Sequence, residues 1–106
     1  MTDFMGLMQQ AAALKSKMEA MQAELDNAEV EGTSGGGLVR VILSGKAEMK
    51  AVRLDEQLLK PSDKEVVEDL IVAAYADARR KAEALLQEKM KAVTGGLPLP
   101  PGMKLF

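Results

Sequence analysis

The feature that most constrains this chain is a regular alternation of three- and four-residue steps between apolar positions near its start. These positions, called the seam below, are Phe4, Leu7, Ala11, Leu14, Met18, Met21, Leu25 and Ala28. The spacing predicts one amphipathic helix over residues 4–28 whose seam packs against another helix. No proline interrupts the segment, and the residues outside the seam are mostly good helix formers. At roughly 1.5 Å per residue this helix is about 37 Å long, which exceeds what the core of a small domain requires.

The next segment carries β-branched residues and turn signals instead of a helical pattern. It predicts a short antiparallel sheet of three strands, at about residues 29–33, 37–43 and 47–54. Glycines 35–37 and the Ser44-Gly45 pair mark the two turns. A three-residue connection between the last two strands is expected to place Val39 and Val41 on the face that also carries Ala47, Met49 and Ala51.

A second helical stripe predicts a long helix over residues 62–93. Ser62 and Glu65 fit a capping box, and Gly95-Gly96 followed by Pro98 marks the end of the helix. The remaining residues, 94–106, are rich in proline and apolar side chains, which predicts an extended tail that docks on the domain or on a partner.

The pattern therefore predicts a single α+β domain over residues 1–106: a long helix, a three-stranded sheet, a second long helix and an extended tail. Folding a chain of 106 residues gives a thin core, and two long amphipathic helices expose more apolar surface than one subunit covers. We expect a homodimer with projecting helices, formed through the first helix, the sheet or both. The first candidates for the dimer seam are Phe4, Leu7, Ala11, Leu14, Met18, Met21 and Leu25. The alternative is a monomer in which the two helices cover each other.

Composition excludes most enzyme chemistry. The sequence contains no cysteine, histidine or tryptophan, so thiol nucleophiles, imidazole acid–base catalysis and zinc fingers are ruled out. One tyrosine and two phenylalanines are too few for a base-stacking sheet. An acidic group on the second helix, Glu65, Glu68 and Asp69, is explained by the preference of helix starts for acids. We therefore expect no catalytic residue, metal, cofactor or small-molecule substrate.

The start of the chain carries Asp3 where a secretory signal has basic residues, and no apolar run approaches the length of a membrane span. These features predict a cytoplasmic protein with no membrane partner.

Charge is segregated along the sequence even though the formal net charge is only −2. Residues 1–31 carry a net charge of −4, residues 40–53 carry +3, residues 54–78 carry −5 and residues 79–106 carry +4. The two basic stretches are candidates for phosphate contacts, because Lys and Arg gain free energy by releasing condensed counterions. On the second helix, the same order of charges is also explained by the helix dipole.

Residues 30–39 place a run of three glycines between Glu31 and Val39, and residues 94–102 read Thr-Gly-Gly-Leu-Pro-Leu-Pro-Pro-Gly. The first segment resembles the E-G-x-[SA]-G-G-G-L-V segment of the YbaB/EbfC family, and the second resembles that family's T-G-G-L-P-[LI]-P-G ending, here with an extra proline. Residues 4–8 before a Gln-, Lys- and Met-rich helix, and Asp69-Leu70-Ile71 followed by Ala73-Ala74, are similar as well. The likeness runs in the same order over essentially the whole chain.

This resemblance implies a bacterial, cytoplasmic, nucleoid-associated homodimer with an α/β sandwich-like core and projecting helices. It further implies binding to double-stranded DNA with little sequence preference, altered DNA conformation, and a role in nucleoid organisation and gene regulation. No family motif marks the DNA contacts, so the candidates follow from charge alone. They are Lys15, Lys17, Arg40, Lys50, Arg53, Arg79, Arg80, Lys81, Lys89 and Lys91.

We expect paired basic helix ends to straddle a duplex through phosphate contacts. The alternative function is a protein-interaction module that docks a DNA-processing partner through the first helix or the Pro-rich tail.

Overall fold

The computed structural model describes residues 3–94, which fold in the order helix, three strands, helix. The first helix, α1, covers Asp3–Asn27. The strands are β1 (Glu29–Ser34), β2 (Val39–Ser44) and β3 (Met49–Leu54), and the second helix, α2, covers Lys64–Thr94. The predicted α+β class is confirmed. The predicted tail covers residues 94–106, and all of it after Thr94 lies outside the described residues.

The sheet is antiparallel with strand order β1-β2-β3, so β2 is central. The turn between β1 and β2 is formed by Gly35–Gly37, all three of which have positive φ angles between 59° and 97°. Residues with a Cβ rarely adopt this conformation, which explains the glycine run. The turn between β2 and β3 is organised by the Ser44 hydroxyl, which accepts hydrogen bonds from the backbone N–H groups of Lys46 and Glu48 at 3.1 and 3.2 Å.

The predicted face of Ala51 is wrong. Val41 pairs with Val52, Ile42 pairs with Ala51, and the next pair is Leu43 with Met49. Ala51 therefore lies with Ile42 on the face away from the core, because a bulge shifts the register between Ile42 and Leu43. Met49 remains on the predicted face.

The predicted capping box is also wrong. Ser62 lies inside a 3-10 turn, Pro61–Asp63, and this turn leads directly into α2 at Lys64. Proline suits the first position of a helical turn because its fixed φ matches the helix and its missing N–H has no partner there. Helical winding thus begins at Pro61, and Ser62 is not at the cap.

Two apolar clusters stabilise the fold, and α2 contributes to both. The first cluster joins the sheet to the start of α2, with Val39, Val41, Leu43, Ala74 and Ala78 fully buried. The second joins α1 to the end of α2 through Met21, Leu25 and Val93. Consequently α2 is a spine, with the sheet packed on one half and α1 on the other.

Two glycines allow backbone to approach backbone between these elements. A Cβ at Gly32 on β1 would overlap the backbone of α2 at Ala74 and Ala78, so α2 lies directly on this strand. A Cβ at Gly45 would lie 2.6 Å from the carbonyl oxygen of Leu25, to which the Gly45 N–H donates a hydrogen bond of 2.9 Å. The β2–β3 turn is thereby fixed to the end of α1.

Candidate nucleic-acid interface

The candidate cations lie on all three parts of the fold. Two are on α1, three are on the sheet, and five are on α2. All are exposed except Lys89, which is half-buried. No single surface collects them, so their ion pairs and neighbours decide which are available to a phosphate.

Five of the predicted cations are already paired with carboxylates of the same chain. The pairs are Arg40–Glu31 at 3.5 Å, Arg79–Glu83 at 3.4 Å, Arg80–Asp77 at 3.5 Å, Lys81–Asp77 at 3.3 Å and Lys89–Glu24 at 3.0 Å. An exposed pair contributes only about 0–1 kcal/mol to stability, so a phosphate can compete for the cation. The neighbouring carboxylate nevertheless lowers the local positive charge.

Asp77 has a structural role that the sequence did not reveal. Its carboxylate accepts a hydrogen bond from the Thr33 backbone N–H at 3.0 Å, which ties α2 to β1. That hydrogen bond and the nearby Lys81 lower the pKa of Asp77. Lys81 in turn donates to the carbonyl oxygen of Glu31 at 2.7 Å. Lys81 therefore helps to pack α2 against β1. Of the three consecutive cations on α2, it is the least available to a DNA phosphate.

Lys89 also forms an ion pair within the chain. Its ammonium reaches Glu24 across the two helices, above a groove of about 400 Å³ that Lys17, Met21 and Val93 help to line. The pair is part of the α1–α2 contact.

The other five predicted cations have no carboxylate within ion-pair distance in the described part of the chain. They are Lys15, Lys17, Lys50, Arg53 and Lys91. In the described part of the chain, no carboxylate competes with an external anion for these side chains.

The open face of the sheet brings two arginines together. Arg40 on β2 and Arg53 on β3 are direct cross-strand partners, and Thr33 on β1 continues the row. This face points away from α2, and all three residues are exposed. Like charges directly opposite each other destabilise a sheet, and only Arg40 has a compensating carboxylate. A bound phosphate would relieve that repulsion.

A second cationic surface lies along α2. Arg80, Ala84, Gln87 and Lys91 recur at steps of four, three and four residues, so they form one stripe, called the α2 stripe below. All four are exposed, and two exposed acids, Glu83 and Glu88, flank the stripe at helical-neighbour positions of Arg80 and Lys91. Its two cations are separated by about 16 Å along the helix axis. The helical period could have identified Gln87, the one amide in the stripe, which charge alone overlooked.

The predicted dimer seam is divided by the structure. Met21 and Leu25 are buried against the same chain's α2, and Leu14 and Met18 are half-buried beside them. Phe4 and Leu7 are 68% and 61% exposed, and Ala11 is exposed as well. Only the first part of the seam is therefore open to a partner.

Within residues 3–94, no cluster of three acidic side chains has the arrangement of a metal site. Neither described helix is long and apolar enough to cross a membrane.

Known proteins are similar to this chain over nearly its whole length. The model of the YbaB/EbfC DNA-binding family matches residues 1–97. A nucleoid-associated protein of Rhodopseudomonas palustris strain BisB5 is 65% identical over 105 residues, with 99% of each chain covered. A nucleoid-associated protein of Nitrobacter hamburgensis is 61% identical over 105 residues, again with 99% of each chain covered.

A solved structure shares the fold. The crystal structure of an uncharacterized protein from Helicobacter pylori superposes with a TM-score of 0.70 at 23% identity, covering 91% of this chain and 98% of that one. At this identity the likeness shows the architecture alone.

Proposed function

Because this chain belongs to the YbaB/EbfC DNA-binding family, we propose that it is a nucleoid-associated protein that binds double-stranded DNA as a homodimer. The observation that carries the proposal is the α2 stripe, an exposed row in which Arg80 is paired with Asp77 and Lys91 is unpaired within residues 3–94. The Arg40–Arg53 pair on the open sheet face supplies a second cationic surface.

The contacts are directed to phosphates rather than to base edges. Sequence reading in the major groove requires a group of Asn, Gln or Arg side chains aimed at the bases. The α2 stripe has one amide, Gln87, and one arginine, Arg80, so it offers little discrimination between sequences. Weak sequence preference fits a protein that coats and reshapes DNA in the nucleoid and thereby influences gene expression.

The proposal includes no catalytic role. The chain has no histidine or cysteine, and the relatives named above are described as nucleoid-associated proteins.

A salt titration tests the phosphate contacts. Fluorescence anisotropy with a labelled duplex of mixed sequence measures Kd at several salt concentrations, and log affinity is expected to fall linearly with log salt. Each phosphate contact contributes about −0.9 to the slope, so Arg80→Glu with Lys91→Glu should reduce its magnitude by about 2.

The matched control is Lys60→Glu with Lys64→Glu, which changes the net charge equally at the other end of α2. Both lysines are exposed and unpaired within residues 3–94. Equal losses of affinity in the two double variants would show that overall charge, rather than the α2 stripe, controls binding. An affinity independent of salt would refute the phosphate mechanism.

A second candidate function is a protein-interaction module. It is favoured by the exposed start of α1, where Phe4, Met5, Leu7 and Met8 are all more than half accessible. Apolar contacts are not screened by ions. This function would be supported if the wild-type chain kept its protein partner at high salt and the Leu7→Glu variant lost it.

A further inference from the structure

We propose that residues 95–106 dock along α1 of the same chain and cover the exposed part of the seam, at Phe4, Leu7 and Ala11. These residues follow α2 directly in the sequence and lie outside the described residues. The inference goes beyond the proposed function, because it uses neither the α2 stripe nor the homodimer.

The first half of α1 extends past the end of α2. The two helices are antiparallel, since Leu25 lines one groove with Leu86 and Met21 lines another with Val93. Leu14 is half-buried beside the α1–α2 cluster, whereas every described residue of α1 before it is exposed. About 16 Å of helix is therefore not covered by the described part of the chain.

This uncovered length still carries the apolar pattern of the seam. Phe4 and Leu7 are 68% and 61% exposed, and Ala11 is exposed as well. An amphipathic stripe of this kind faces a covering element in a folded protein. The small side chain of Ala11 lies between Leu7 and Leu14, so an extended segment can approach the helix closely at that point.

The chain leaves α2 beside this surface. Val93 is 6% exposed and belongs to the same cluster as Met18, which lies about 10 Å from Ala11 along α1. A proline-rich extended segment advances about 3.1 Å per residue, so residues 95–99 span about 15 Å. That length is enough to change direction at the two glycines that follow α2 and still reach Ala11.

The side chains of this segment suit an apolar surface. Leu97 and Leu99 alternate with prolines, and Lys104 is the one charged residue between positions 95 and 106. Prolines favour the polyproline II conformation, which loses little conformational entropy when it docks on an apolar groove.

The covalent attachment of the segment favours it over a second copy of the chain as the occupant. The open seam offers three side chains, and even a fully covered aromatic side chain buries only about 150–250 Å². Each partner of a stable interface buries about 800 Å². A tethered segment has an effective concentration in the millimolar range, so it stays docked through a smaller contact. A protein partner that uses the start of α1 then has to displace this segment.

Two pairs of introduced cysteines test where the segment lies. The chain has no cysteine, so Ala11→Cys with Leu99→Cys supplies its only two thiols. The matched control is Ala13→Cys with Leu99→Cys, because Ala13 is also exposed but lies about 200° around the helix from Ala11. Each full-length variant is equilibrated with reduced and oxidised glutathione. Forming the protein disulfide converts one oxidised glutathione into two reduced ones, and the equilibrium gives the effective concentration of the two thiols.

The Ala11 pair should have an effective concentration at least about tenfold higher than the Ala13 pair, because docking places the segment on one face of α1. Leu97→Glu, added to both pairs, places a charge in the apolar contact and should bring the two effective concentrations to within about twofold of each other. Circular dichroism of the reduced samples checks that every variant is folded.

Three outcomes would overturn the proposal. Equal effective concentrations in the two original pairs would show that the segment does not dock on the seam. A preference for the Ala11 pair that survives Leu97→Glu would show that apolar docking is not its cause. Electrophoresis without reductant separates disulfides within one chain from those between two chains, and a majority between chains would place the segment on a second copy. DNA binding, measured by anisotropy on the reduced samples, tests the proposed function separately.

Discussion

Substituting Gly32 with alanine tests the contact between α2 and the sheet. The added methyl group would overlap the carbonyl oxygen of Ala74 and the backbone nitrogen of Ala78. Backbone atoms of a helix cannot rotate away as a side chain does, so α2 must move off β1. That movement also lengthens the hydrogen bonds from Thr33 to Asp77 and from Ser34 to Leu70.

The expected loss of stability can be estimated from these contacts. Overpacking costs about 1–3 kcal/mol, and each weakened hydrogen bond adds about 0.5–1.5 kcal/mol. The intrinsic gain from replacing a strand glycine by alanine is only about 0.5–1 kcal/mol in the opposite direction. We therefore expect Gly32→Ala to lower the free energy of unfolding by about 3 kcal/mol, a large fraction of the roughly 5–15 kcal/mol typical of a domain.

Urea denaturation followed by circular dichroism at fixed protein concentration measures this change. With a slope of about 1.5 kcal/mol per molar urea, the midpoint should fall by about 2 M. Gly6→Ala is the matched control, because Gly6 is exposed on α1 and a Cβ there would meet no atom within 4 Å. This control should raise the free energy of unfolding by about 0.5–1 kcal/mol. A Gly32→Ala protein as stable as the wild type would refute the direct contact of α2 with β1.

Three further predictions concern charge and packing. The pKa of Asp77 is lowered in the folded state, so its stabilising effect is complete above the unfolded-state pKa and is lost as pH falls through the folded value. Asp77→Asn should therefore be less stable than the wild type at pH 7 in thermal melts, and a difference that persisted well below about pH 4 would contradict this assignment. Arg53→Thr removes a like-charge cross-strand contact and should raise the free energy of unfolding by about 0.5 kcal/mol while weakening DNA binding; a destabilised variant would show that the arginines do not repel. Met21→Ala should lower the free energy of unfolding by about 2–4 kcal/mol, because Met21 is 6% exposed, whereas Leu7→Ala should change it by no more than about 0.5 kcal/mol. Comparable losses at the two positions would mean that the whole seam is packed alike.

The regular elements were predictable because their signals are local. A helical seam, a glycine run that requires positive φ, and β-branched strands each act over a few residues. The bulge in β3 was not predictable, because one extra residue reverses the alternation of faces without a marker in the sequence. Ala51 consequently has the wrong predicted face, and Val52 takes its place beside the core.

The candidate site was predicted less completely, because ion pairing is a property of the fold. Lys81 contacts the carbonyl oxygen of Glu31, fifty residues away in sequence, and no local pattern reveals this contact. The seam of α1 likewise predicts a partner helix without showing which chain provides it. In the structure, Met21 and Leu25 pack against α2 of the same chain, whereas Phe4 and Leu7 are exposed.

In the proposed function, the segregation of charge is what allows a chain with a net charge of −2 to bind a polyanion. Glu65 and Lys91 are separated by about 39 Å along α2, and charges are screened beyond about 8 Å at physiological salt. In the proposed mode of binding, DNA at the end of α2 is therefore influenced mainly by the charges between Arg80 and Lys91, Glu83 and Glu88 included, and scarcely by the acids at the start of the helix. It follows that the number of phosphates contacted, rather than the net charge of the chain, sets the salt dependence of binding.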